Sequence, residues 1–208
     1  MGARLPSAVM SSLDERWLIT GGIGSGKSEV RRLLAERGIH TVDADAVGHA
    51  VLADEGLSPV AQRWPDVVLE GEIDRKALAR IVFSDPGELR ALEAITHPLI
   101  FGRIEADLRG YSGVVVVEMS LLETSMGWPM IVVDADDETR LRRAVERGMN
   151  EADVRRRMAS QPSRAEWLAA ADLVVPNHGE IRHLEKAAAL LGDYLRRGQR
   201  TVLVPAHR

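Results

Sequence analysis

Eight residues, Gly21-Gly22-Ile23-Gly24-Ser25-Gly26-Lys27-Ser28, restrict this chain more than any other stretch. They satisfy G-x-x-x-x-G-K-[ST], the spacing of a loop that wraps a row of phosphates. Glycines let the backbone turn tightly and aim N–H groups at phosphate oxygens. Lys27 brings a cation to the outer phosphates, and the Ser28 hydroxyl suits a bound Mg²⁺. The flanks agree with this reading. Trp17-Leu18-Ile19 reads as a short buried strand, and Val30, Leu33 and Leu34 mark one face of a helix. That helix would turn its partly positive N-terminus toward the phosphates. Short glycine runs also occur in ordinary turns, but the full pattern between a strand and a helix points to a nucleoside triphosphate site. A chain that carries it is expected to be α/β: a P-loop NTPase-type three-layer parallel sheet.

Composition narrows the partners. The 208 residues carry a net charge of −4, which gives no electrostatic case for nucleic acid. Lysine occurs only as Lys27, Lys76 and Lys186, the remaining positive charge being arginine. Cysteine is absent, which excludes disulfides, thiolate metal sites and cysteine nucleophiles. No run approaches the roughly 18 apolar residues of a membrane span. The expectation is a soluble, cytoplasmic protein without membrane or nucleic-acid partners, monomeric or weakly homo-oligomeric. Residues 1–13 lack a signal-peptide pattern and read as a disordered leader. Residues 14–208 read as one P-loop domain, with a core of 14–55 and 111–208. A helical substrate lobe of about 56–110 is inserted in it, and a helical lid covers about 138–165.

After the loop, Gly38 should end the first helix and Ile39–Val42 should form a second strand. Asp43 and Asp45 follow, at the strand end where α/β sheets bind ligands. Either can instead cap the next helix, through Val47, Val51 and Leu52, and one can cap while the other does chemistry. Asp74 should cap a helix burying Leu78, Ile81, Val82 and Phe83. Ser84-Asp85-Pro86 should open another, which Pro98 is expected to kink or break. Val114–Val117 reads as a strand buried on both faces, with Glu118 either its terminus facing the presumed active site or merely the first polar residue past it. Met130–Val133 reads as another, closed by Asp134. Arg140, Arg142, Arg143, Arg147, Arg155, Arg156 and Arg157 then crowd two helices separated by Gly148-Met149-Asn150. They outnumber their local acids Glu146, Glu151 and Asp153. This is either a charged surface or a lid closing over phosphates. Asn177 ends a last core strand and is either a base-contacting residue or a turn former. Ile181, Leu184, Ala188 and Leu191 line a closing helix, and Thr201–Val204 reads as an edge strand.

The guanine-reading pattern N-K-x-D does not occur, which argues against a GTPase. An inserted lobe and an arginine-rich lid favour transfer to a small acceptor.

From about Trp17 to about Leu191 the sequence resembles the dephospho-coenzyme A kinase family. The resemblance is carried by Thr20–Ser28, Val42-Asp43-Ala44-Asp45, Gly71–Arg75 and Ile81-Val82-Phe83. It continues through Leu92–Pro98, Glu118 with Leu121-Leu122-Glu123, Arg143, Arg147, Arg157–Gln161 and Ala171–Asn177. It implies transfer from ATP, with Mg²⁺, to the ribose 3′-hydroxyl of dephospho-CoA, giving CoA and ADP. By position it implies that Gly22, Ile23, Gly24, Ser25, Gly26, Lys27, Ser28, Glu29, Arg147 and Asn177 bind the nucleotide, with Ser28 on the metal. It makes Lys27, Asp45 and Arg143 catalytic, with Asp45 and His97 on the substrate side. His97 can equally be a structural residue beside Pro98. Three positions depart from the family pattern: Glu29 for threonine, Met119-Ser120 for valine-proline, and Gly148 for aspartate. The alternatives are another small-molecule P-loop kinase, acting on a nucleoside or nucleotide, or a catalytically weak nucleotide-binding regulatory module.

Overall fold

A computed structural model describes residues 16–121 and 126–197. The leader, Leu122, Glu123 and the proposed edge strand at Thr201–Val204 lie outside the described residues. The chain divides into two compact units, one of residues 1–42 and 111–208 and the other of residues 43–110.

In the first unit, β1 (Arg16–Thr20) leads through the glycine loop into α1 (Lys27–Glu36), and β2 (His40–Asp43) follows. The chain returns to this unit at β5 (Val115–Glu118) and β6 (Met130–Asp134). It continues through α6 (Asp137–Glu146), α7 (Glu151–Ser160), α8 (Arg164–Ala170), β7 (Leu173–Pro176) and α9 (Ile181–Arg197). The strands order as β2-β5-β1-β6-β7. The β1–β5, β1–β6 and β6–β7 pairs are all parallel. Parallel strands covered by helices become apolar on both faces, and every residue of β5 and β6 is buried. Ile19, Val116, Ile131 and Val175 from the sheet pack with Val30, Leu33 and Leu34 of α1 and Leu184, Ala188 and Leu191 of α9. This is the three-layer parallel sheet expected from the loop motif.

The second unit holds α2 (Ala44–Ala53), α3 (Leu57–Arg63), a 3-10 turn (Pro65–Val67), the hairpin β3 (Val68–Leu69) and β4 (Glu72–Ile73), α4 (Arg75–Val82) and α5 (Pro86–Asp107). Its core gathers Val60, Trp64, Val67, Leu78 and Val82, with Leu89, Leu92 and Ile95 against them. Three aspartates start its helices as their side chains suggest. Asp43, Asp74 and Asp85 each accept from backbone N–H groups of the first turn, and Pro86 opens α5.

Two expectations fail here. Phe83 is 72% exposed, because α4 ends at Val82 and Phe83, as the C-cap, lies off the buried stripe. Pro98 neither ends nor divides α5, which runs 22 residues with the proline inside. A proline forfeits one backbone hydrogen bond; here the packed stripe of Leu89, Leu92 and Ile95 before it and the buried Ile104 after it carry the helix across.

Candidate active site

The glycine loop sits at the carboxyl end of β1, where parallel sheets receive ligands. Its shape is held by side chains from four other elements. Arg140, on α6, is 4% exposed and donates from Nε to the Ile23 carbonyl at 3.0 Å. Gln161, immediately after α7, accepts from the Ile23 N–H at 2.9 Å. Asn177, at the end of β7, is buried and donates from Nδ2 to the Ser25 carbonyl at 2.8 Å. At the end of β5, Glu118 accepts from the Ser28 hydroxyl at 2.6 Å and from Arg31 Nε at 2.5 Å. The glycine at position 24 has a physical reason. Its φ is +75°, and a Cβ there would fall on the backbone carbonyl of Arg140.

Glu118 is the last residue of its strand rather than the first polar residue beyond it, and it is 8% exposed. Its two oxygens hold a hydroxyl and a guanidinium, so a buried carboxylate is both neutralised and hydrogen-bonded, as burial demands. Register fixes it there: Glu118 stands opposite Ile19 on β1. The Ser28 hydroxyl and the Glu118 carboxylate together form a pair of hard oxygen donors. Among the described residues no cluster of three or more acids and histidines could cage a metal. An ion held by one or two protein oxygens and completed by phosphate and water is the habit of Mg²⁺.

The arginines of α6 and α7 divide into two sets. Arg142 pairs with Glu146, Arg155 with Glu151 and Arg156 with Asp153, each within one helical turn. Arg140 pairs with Asp137 at 2.9 Å. These four are paired locally, Asp137 adding a fourth acid to the three read from the sequence, and the seven arginines still outnumber them. Among the described residues, no acid lies within ion-pair distance of Arg143, Arg147 or Arg157. Arg143 donates to the carbonyls of Asn177 and Gly179 at 2.9 and 3.1 Å and more weakly to Asn177 Oδ1. Burial, then the charges of Arg142 and Arg147, press its guanidinium below the ordinary value.

Glu29, in the first turn of α1, turns to Arg32, with the closest pair at 2.6 Å. That hydrogen bond leads the forces holding its carboxyl below the usual range, against burial, and Arg147 contributes from a distance. The carboxylate is therefore matched by cations where it would otherwise repel phosphate. Gly148 has φ +88° directly after the C-cap of α6, a backbone state that glycine adopts without strain.

Below the loop, Asp134 closes β6 and is 7% exposed. It accepts from Arg164 Nε and Nη2, both at 2.7 Å, and lies 3.1 Å from His178 Nε2. Burial raises its pKa, but Arg164 and then His178 together outweigh that and leave it below the ordinary value. Thr139, donating from backbone and side chain to the α6 cap Asp136, brings that carboxyl down to about 2.

On the second unit, Asp43 accepts from the N–H groups of Asp45 and Ala46 and is the cap of α2. Asp45 occupies the first turn of α2 and is exposed. His97 stacks on Phe101 at 5.6 Å along α5. Burial lowers its pKa, and Glu93 opposes this more weakly.

Among the residues expected to form the site, Gly22–Glu29, Arg143, Arg147 and Asn177 belong to the first unit, and Asp45 and His97 to the second. Arg140, Gln161 and Arg31 have roles that the sequence did not single out, whereas Glu118 stands at the strand end where the sequence put it. One signal was present for Arg140: it lies four residues before the buried Ala144, on the inward stripe of its helix. Gln161 had no periodicity to mark it.

A parallel sheet in this strand order, with a phosphate loop after β1 and a carboxylate at the end of the neighbouring strand, defines a P-loop phosphotransferase of the small-molecule kinase type. The family model described as dephospho-CoA kinase matches residues 18–183. The chain is 42% identical over 179 residues to the dephospho-CoA kinase of Streptomyces avermitilis, covering 81% of this chain and 87% of that one. It is 40% identical over 192 residues to the dephospho-CoA kinase of Deinococcus radiodurans, covering 88% and 93%. The solved Thermus thermophilus protein TT1252 superposes with a TM-score of 0.74 at 35% identity, covering 86% and 97%. The chain belongs to the dephospho-CoA kinase family.

Proposed function

We propose that this protein transfers the γ-phosphoryl group of ATP to the ribose 3′-hydroxyl of dephospho-CoA, giving CoA and ADP, the last step of coenzyme A biosynthesis. The observation that carries this is the braced phosphate loop, with Lys27 and Ser28 at the N-terminus of α1 and Glu118 against the Ser28 hydroxyl, in a chain of this family. The loop N–H groups and Lys27 bind the triphosphate. Ser28 would hold Mg²⁺, which supplies charge neutralisation on the phosphates, while Glu118 accepts the serine proton and orients its lone pairs. Arg143 and Arg147, which have no acid partner among the described residues, stabilise charge on the phosphoryl group. Asn177 belongs to the nucleotide side by virtue of its bond to Ser25.

Asp43 is committed as a cap, and Asp45, exposed two residues on, is the base. It takes the proton of the 3′-hydroxyl as that oxygen forms its bond to the γ-phosphorus and the bond to the β-phosphate oxygen breaks. We assign dephospho-CoA to the helical lobe of about 56–110, His97 to its contacts, and the helices of about 138–165 to the lid. The reaction belongs in the cytoplasm, where ATP is supplied, carried out by a monomer or weak homo-oligomer.

A substrate panel tests the acceptor. With ATP and Mg²⁺, dephospho-CoA should turn over and nucleoside monophosphates should not. Equal or better turnover of a nucleoside or nucleotide would overturn the assignment.

A further inference from the structure

The hairpin of α6 and α7 is anchored at both ends to one residue of the phosphate loop, Ile23. At its start, Arg140 Nε donates to the Ile23 carbonyl. At its finish, Gln161 Oε1 accepts from the Ile23 N–H. Arg140 Nη2 also donates to that same Gln161 oxygen at 3.2 Å, so three bonds close a ring around Ile23. Arg140 is buried and its charge is balanced by Asp137, so its task is not to meet phosphate. The fit leaves no slack: a Cβ on Gly22 would collide with the Arg140 guanidinium, and one on Gly24 with the Arg140 carbonyl. Between the two anchors lie Arg143, Arg147 and Arg157, the arginines without an acid partner among the described residues.

We propose that Arg140 and Gln161 are positioning residues that couple occupancy of the phosphate loop to the α6–α7 hairpin. Phosphate bound to Gly24–Ser28 fixes the loop in one conformation. The Ile23 ring then fixes both stems of the hairpin in one orientation, which sets its arginines over the phosphates. Conversely, a loop without the ring has to be ordered by the nucleotide itself, at a cost in affinity. This coupling rests on the nucleotide-site reading above and adds to it which residues link the two parts.

The test uses the full chain and a non-hydrolysable ATP analogue with Mg²⁺, without any acceptor. Analogue affinity is read by calorimetry and hairpin closure by trypsin, which cuts after the hairpin arginines. In the parent protein, saturating analogue should protect the hairpin. Gln161→Ala removes the acceptor for Ile23 and should weaken analogue binding about tenfold, the scale of leaving a part-buried donor unpaired. It should also lose hairpin protection even when saturated. Gln161→Glu keeps an acceptor and should restore both. If Gln161→Ala does not fold, Gln161→Met gives the same two readouts at similar volume.

The coupling is overturned if the parent hairpin shows no analogue-dependent protection. It is equally overturned if Gln161→Ala binds and protects as the parent does, or loses affinity while keeping full protection. Because no acceptor is used, failure to phosphorylate dephospho-CoA would sink the substrate assignment without touching this result. A parent protein that binds no analogue would refute the nucleotide site and this proposal with it.

Discussion

Around the phosphate loop, side chains from β5, α6, β7 and the segment after α7 converge on a few backbone groups and one hydroxyl. In the unit of residues 43–110 the candidate residues are placed differently. Asp45 is exposed in the first turn of a helix, and His97 lies partly buried on another, while the unit's core is built from Trp64, Leu78 and their neighbours. The nucleotide side is thus built from polar bonds between elements far apart in the sequence. The residues assigned to the acceptor stand on helices of a unit whose core is built from other side chains. Binding geometry already fixed in the fold lowers the ordering cost of association. A side chain on a stable helix can be changed for chemistry with little effect on folding.

That contrast can be broken by experiment. The largest effect should come from Asp45→Asn, which removes a proton acceptor and keeps shape. Transfer should fall about 10²–10⁴-fold, with analogue affinity unchanged. A fully active Asp45→Asn protein would end its assignment as the base. Lys27→Ala should lower transfer about 10²–10³-fold, the scale for one fixed cationic or hydrogen-bonding group on the phosphates. Unlike the aspartate change, it should also weaken the analogue in calorimetry. If both variants lose affinity equally, the division between the two regions fails.

Smaller in its effect on chemistry is Leu78→Ala. Leu78 is 2% exposed in the core of the second unit, and its truncation should cost about 2–5 kcal/mol in denaturant unfolding. Analogue binding should survive wherever the protein stays folded. Least of all, His97 should give a shallow acid sensitivity. Its folded pKa lies below the ordinary 6.5, so the unfolded chain takes up the proton first as pH falls. Its contribution is therefore present above that value and lost below it. His97→Gln should flatten the fall in unfolding midpoint between about pH 7 and pH 5. An unchanged slope would remove histidine from the account.

Much of this was legible in the residues, for reasons that differ from place to place. Strand, loop and helix around Gly21–Ser28 follow from apolar periodicity and from glycine, both local properties. Asp43, Asp74 and Asp85 were readable as caps because a short carboxylate acts on the next turn of its own chain. The braces on the loop were not. Arg140, Gln161 and Asn177 reach it from residues more than a hundred positions away, and no local pattern encodes such a meeting. Counting arginines showed an excess over the local acids but not which ones it was, since a helix pairs its charges at three and four residues and four of the seven are paired that way. Phe83 failed because a helix that stops one residue early leaves an apolar side chain outside.

The central claim is direct transfer between ATP and dephospho-CoA at this site. ADP release measured with and without dephospho-CoA, with the other product identified by mass, addresses it most directly. ADP release should depend on dephospho-CoA, with one CoA for each ADP, and both should be lost in Lys27→Ala. ADP released at the same rate without the acceptor, or analogue binding with no CoA formed, would contradict it.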